Sequence, residues 1–179
     1  MSALSLGAVR GTLKLAGLQF PCALGRAGRR ARKREGDGAT PIGQWRVREV
    51  LYRPDRVGRP RTALPVRAIR KHDGWCDAPD DRNYNRPVRL PYPTSAERLW
   101  RRDELYDVVV VLAYNDHPRA RGRGSAIFMH VAGPDYAPTQ GCVALARAHL
   151  LRLLERLGSR AAIGVLTPQK SARSFRLGR

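Results

Sequence analysis

The sequence predicts a mostly β domain, and three observations carry that expectation. Short stretches alternate apolar and polar residues with the two-residue period of a strand, two β-branched runs are continuous enough to be buried on both faces, and only one segment holds a convincing helical period. In order, "GTLKLAGLQFPCALGR" (11–26) alternates on either side of Ala16 and Gly17, which predicts two short strands joined by a turn. "GQWRVREVLYR" (43–53) predicts a longer strand with Trp45, Val47 and Val50 on one side. "LYDVVVVLAYN" (105–115) and "SAIFMHV" (125–131) are the buried runs.

"ARAHLLRLLERLG" (146–158) places Leu150, Leu153, Leu154 and Leu157 at i, i+3, i+4 and i+7, with arginines around the rest and Gly158 positioned to end the helix. "AAIGVLTP" reads as a last strand, and the basic tail 168–179 as a disordered end. Between them, Arg53 to Trp100 is rich in Pro, Arg, Asp and Asn and too long for an idle connection, so it reads as a functional loop or cap. A chain of 179 residues is expected to form one domain.

The 34 Lys and Arg against 15 Asp and Glu give a formal charge of +19, which attracts polyanions without choosing among nucleic acid, acidic membrane and cell-wall polymer. Thirty of those cations are Arg, a bias that a GC-rich genome produces without selection for a ligand. The basic cluster "RAGRRARKREGDGATP" reads equally as a solvated loop or a polyanion contact. No aromatic-interleaved basic motif is present, so no specific nucleic-acid binding is expected. No run of about 18 apolar residues occurs, which predicts no spanning helix, and the N-terminal thirty residues read without a secretory signal.

Cys22, Cys76 and Cys142 form no CxxC pair, so neither a disulfide framework nor a zinc ribbon is expected. His72 with Cys76 offers two ligands, too few for a metal, and no cofactor is expected. His130 at the end of a strand and Cys142 twelve residues on are candidates for a base and a nucleophile. A cysteine reacts as its thiolate, and a neighbouring imidazole can shift the balance toward a thiolate/imidazolium pair. Gly141 would let the loop turn tightly, and amides at or beside Cys142 would bind an oxyanion. The competing reading keeps Cys142 as a small core residue and His130 as a hydrogen-bonded one. His149, on the helix flank, and His117 have no nucleophile nearby.

"HVAGPDYAPTQGCVAL" (130–145) resembles the signature of YkuD-type L,D-transpeptidases, in which a His element precedes Ser/Thr-x-Gly-Cys-Val/Ile. "EGDGATPIGQWRV" (35–47) is similar to that family's Thr-Pro-x-Gly-x-aromatic turn. The resemblance implies a β-sandwich or flattened barrel with one main helix after the cysteine, a catalytic domain over 11–167 behind an N-terminal segment 1–10, and no metal. It implies acyl transfer between peptidoglycan stem peptides, outside the cytoplasmic membrane, by a monomer: Cys142 attacks, His130 moves the proton and Gly141 shapes the loop. Thr139, Gln140, Trp75, Asn83, Tyr84, Asn85, Tyr114 and Asn115 are the candidate substrate contacts. Two departures stand out. Gln140 replaces a basic residue before Gly141, and Ala144 stands where many members carry Arg, which would move that cationic contact to a residue such as Arg67 or Arg86.

Overall fold

The computed structural model describes residues 5–167. The predicted hairpin is β1 (Arg10–Leu15) and β2 (Leu18–Ala23), joined through Ala16 and Gly17, both at positive φ (43° and 83°). That pair of angles gives the tight turn whose twist suits antiparallel strands. Two short parallel strands, β3 (Arg29–Arg30) and β4 (Thr40–Pro41), bracket the glycine-rich turn. β5 (Gly43–Tyr52) follows. Trp45, Val47 and Val50 all reach the same core, which an unbroken period of two forbids for Val47 and Val50. A register shift reconciles them: Leu112 pairs with Val47 and Val111 with Glu49, leaving Arg48 as the extra residue of a bulge.

The segment from Arg53 to Trp100 is more ordered than the loop expected of it. It holds β6 (Val66–Ala68), parallel to β5, then a small antiparallel sheet of β7 (Asp73–Cys76) between β8 (Pro87–Arg89) and β9 (Ala96–Arg98). None of these strands exceeds four residues, too short for a period to show. The runs expected to be buried on both faces are β10 (Val108–Leu112) and β11 (Phe128–Val131). β12 (Val143–Leu145), helix α1 (Arg147–Leu154) and β13 (Ala162–Val165) are the last elements among the described residues. The main sheet runs β1-β2-β12-β11-β10-β5-β13, with β6 beside β5.

One detail of the helix expectation needs correction. The helix follows the cysteine as expected, after the three residues of β12, but α1 ends at Leu154 rather than at Gly158. The amides of Arg156 and Leu157 bond to the carbonyls of Leu153 and Leu154, so the last turn tightens to i−3 winding. That winding still buries Leu157, and Gly158 caps nothing. Leu150, Leu153 and Leu154 pack against Val108, Val110, Met129, Val131 and Val143 on one face of the sheet. Behind them Asp107, fully buried, accepts hydrogen bonds from Arg56 and Arg147, each at 3.1 Å. The basic tail 168–179 lies outside the described residues.

Candidate active site

The site is built where β11 and β12 run parallel, with Met129 opposite Val143 and His130 opposite Ala144. Side chains alternate along a strand, so Met129 and Val131 enter the helix-side core while Phe128 and His130 turn to the opposite face. Cys142 arrives on that second face just ahead of β12. Its thiol donates to the Ala126 carbonyl at 3.2 Å, and its sulfur accepts the Phe128 amide at 3.4 Å.

The loop carrying Cys142 is pinned from both sides. Thr139 Oγ1 accepts the Gly141 amide (3.1 Å) and donates to the Cys142 carbonyl (2.6 Å). The Thr40 hydroxyl reaches the same carbonyl from the glycine-rich turn at 3.3 Å, and Gly25 bridges to Thr139. Gly141 has φ of 128°, and a Cβ there would stand 2.8 Å from the Ala39 carbonyl oxygen. Both the angle and the space require glycine. The "EGDGATP" turn and the "TQGC" loop are thus two halves of one structure.

His130 Nδ1 lies 2.8 Å from the Val131 carbonyl oxygen. A carbonyl only accepts, so Nδ1 carries the proton and Nε2 keeps its lone pair. The ring of Tyr106 meets the imidazole edge-on at 5.3 Å. His130 and Cys142 line one cavity of about 780 Å³.

Burial sets the protonation states. It pushes the Cys142 thiol up to about 12, assisted by the Glu97 carboxylate and opposed by the Phe128 amide and the Lys33 charge. It also brings His130 down to about 4, with Arg101 adding to the effect while the Val131 carbonyl and Asp103 oppose it. The thiolate/imidazolium pair expected from proximity is therefore replaced by a neutral thiol and a neutral imidazole, because neither ion is solvated in this cavity.

Of the expected contacts, Thr139 and Gln140 line the cavity, and Gln140 Oε1 accepts from Arg26 Nε at 2.8 Å. Trp75, Tyr84 and Asn85 are 2%, 1% and 4% exposed and do not line it. They form its support instead. Asn85 Oδ1 accepts from Trp75 Nε1 (3.0 Å) and from the Ala126 amide (3.1 Å), which fixes the residue whose carbonyl holds the thiol. Asn85 Nδ2 donates to the carbonyls of Tyr114 and Asn115, and the Tyr84 hydroxyl donates to Glu35. Asn83 donates to Tyr92 at 2.8 Å, away from the cavity. Tyr114 and Asn115 line a separate cavity of about 340 Å³ beside Trp45.

Neither Arg67, paired with Asp73 at 2.6 Å, nor the exposed Arg86 lines the active cavity. The arginine that does is Arg101, which lies over the Tyr106 ring at 5.0 Å and pairs with Asp103 at 2.6 Å. Glu35, Asp77 and Glu97 complete an acidic lining that sequence reading missed. Burial raises the Glu97 carboxyl above its ordinary value, against the Tyr106 hydrogen bond and the Arg101 charge. The one signal in the sequence was the dense charge of "ERLWRRDELYD" (97–107) directly before a buried strand. Among the described residues no group of three or more His, Cys, Asp or Glu is placed to hold a metal ion.

No curated protein and no solved structure matches the chain. The family model of the L,D-transpeptidase catalytic domain matches residues 11–165, from the first hairpin through the glycine-rich turn and the cysteine loop to the last strand. The chain therefore belongs to the YkuD family of L,D-transpeptidase catalytic domains.

Proposed function

We propose that the protein crosslinks peptidoglycan stem peptides through a thioester on Cys142, with residues 11–167 as the catalytic unit acting outside the cytoplasmic membrane. The observation that carries this reading is the common cavity of Cys142 and His130, in which the Val131 carbonyl reserves His130 Nε2 as a base. A donor carbonyl entering the cavity displaces the thiol from Ala126. Nε2 takes the sulfhydryl proton as sulfur attacks, and the negative charge that this leaves on the sulfur passes to the carbonyl oxygen. The Gly141 amide is occupied by Thr139, so the oxyanion falls to the Cys142 amide. The imidazolium returns its proton to the departing amine of the D-residue, leaving the thioester. An acceptor amine then attacks, loses its proton to Nε2, and the amide forms as the thiol is restored.

Transpeptidation is favoured over hydrolysis by the lining. In a chain of formal charge +19, the cavity gathers Glu35, Asp77, Glu97 and Asp103 around a single arginine already paired to Asp103. That field concentrates an acceptor's ammonium group at the thioester, which neutral water does not gain from. Ala144, opposite His130, leaves no cation where many members carry one. The product joins two diaminopimelates (3-3), or L-Ala of one stem to diaminopimelate of another (1-3).

Purified protein is incubated with disaccharide stem peptides of defined length and the products are read by mass spectrometry, with Cys142→Ala as control. Dimers that require Cys142 are the expected result, and their fragmentation assigns the bond. Shortened monomers alone would convert the reading to a carboxypeptidase, and no product on any stem would overturn it.

A further inference from the structure

Position 140 offers no basic side chain beside the nucleophile, yet a cation stands directly behind it. Lys33 is 3% exposed, a rare state for lysine. Its stem packs on Gly124, where a Cβ would come within 2.8 Å of Lys33 Cε. Its ammonium donates to Asp37 Oδ1 at 2.7 Å and lies 3.2 Å from the position a Cβ on Gly141 would occupy. Gly141 therefore does more than turn the chain: having no side chain, it lets the ammonium approach the nucleophile's backbone. Lys33 does not line the cavity, so its charge acts on the site through the wall.

Asp37 completes the device. Burial works against its charge, but the Lys33 ammonium and the Arg34 and Ala39 amides outweigh this and hold its carboxyl below the ordinary value. The groups facing the sulfur from the other elements are His130 on β11, Glu97 on β9, Tyr106 before β10, and Glu35, Asp77, Arg101 and Asp103 around the cavity rim. The carboxylates oppose a thiolate. Arg101 is paired with Asp103, and Lys33 is the cation set behind the nucleophile loop.

We propose that Lys33 is a positioning residue for the acyl transfer, its buried ammonium behind Gly141 supplying the positive charge against which the Cys142 sulfur sheds its proton, with Asp37 setting how much of that charge the sulfur feels. This rests on the transpeptidase reading for its purpose, but its physical content is a property of the free protein. Its two halves make opposite predictions. Removing the ammonium hinders ionisation of the thiol, and removing its counter-charge promotes it.

The test is site-resolved alkylation of Cys142 by iodoacetamide from about pH 6 to 10, without substrate, followed by mass spectrometry of the peptide carrying Cys142. Lys33→Met is expected to slow alkylation about tenfold at a given pH, the effect of one pH unit on the thiolate fraction. Lys33→Arg should restore most of the rate, and Asp37→Asn should exceed the parent. If Lys33→Met and Asp37→Asn both slow the reaction, the pair only braces the turn and the proposal is wrong; if neither changes it, the charge does not reach the sulfur. Should Lys33→Met fail to fold, Asp37→Asn decides alone, an increase supporting the proposal and no increase overturning it. Failure of crosslinking on stem peptides would overturn the function and leave this result standing.

Discussion

On one face of β10, β11 and β12, Val108, Val110, Met129, Val131 and Val143 meet Leu150, Leu153 and Leu154 of α1 in a layer of hydrocarbon. On the other, Val109, Val111 and Phe128 share their layer with Cys142 and Tyr106, and His130 points the same way. On both faces these side chains are held from bulk water, each residue under a tenth exposed. What differs is the result of that exclusion. On the helix face it supplies stability; on the cavity face it suppresses charge, favouring the neutral forms of the Cys142 thiol and the His130 imidazole.

The largest effects separate the faces completely. Cys142→Ala and His130→Ala should each reduce product formation by roughly 10³-fold or more, with thermal unfolding showing the domain still folded. Leu153→Ala should do the reverse. It is expected to cost about 2–5 kcal/mol of stability, read by denaturant titration, while the folded fraction turns over at the parent's rate.

Acid sharpens the comparison. Unfolded His130 takes its proton near 6.5 and folded His130 near 4, so between those values the unfolded chain binds more protons than the native one. Stability must then fall as the pH drops through that window, by about 3 kcal/mol in total, and His130→Gln should flatten this slope in urea titrations. Activity should persist below pH 6.5, with its acid limb nearer 4, because the base is still neutral there. Alkali acts through the sulfur. The folded Cys142 thiol is raised from 9.0 to about 12, so its share of native stability is present below pH 9 and is lost as the pH climbs toward 12.

The smallest effects are expected at the remaining thiols. Cys22 lies in the helix-face core and Cys76 ends β7, the central strand of the small sheet; both are buried. Cys22→Ala and Cys76→Ala should keep full crosslinking activity and lose about 1 kcal/mol of stability each. Loss of activity at either would show that the two faces are not chemically separate.

Much of the scaffold was legible because its signals are local. Ala16 and Gly17 announce a turn, the β-branched runs announce buried strands, and the leucine period announces α1. The end of α1 was misread because Gly158 looked like a cap while tighter winding had already closed the helix. At the site, the grouping of Cys142, His130, Gly141, Thr139 and Gln140 was legible because one motif, 130–145, carries all five. Trp75, Tyr84 and Asn85 were recognisable as groups able to bind peptide, but their direction depends on strands too short to have a period. Arg101, Glu97 and Asp103 were hidden for another reason. They enter the cavity through tertiary packing of an aperiodic stretch, and only its charge density marked it.

The bond from the Thr40 hydroxyl to the Cys142 carbonyl spans 102 residues of chain, and the bridge between Gly25 and Thr139 spans a similar distance. Contacts this remote carry a large loop-closure cost in folding. A chain still emerging during synthesis, or one half of a proteolysed domain, holds a cysteine but not the turn that shapes its loop. On the proposed chemistry, competence to acylate is therefore tied to the finished fold.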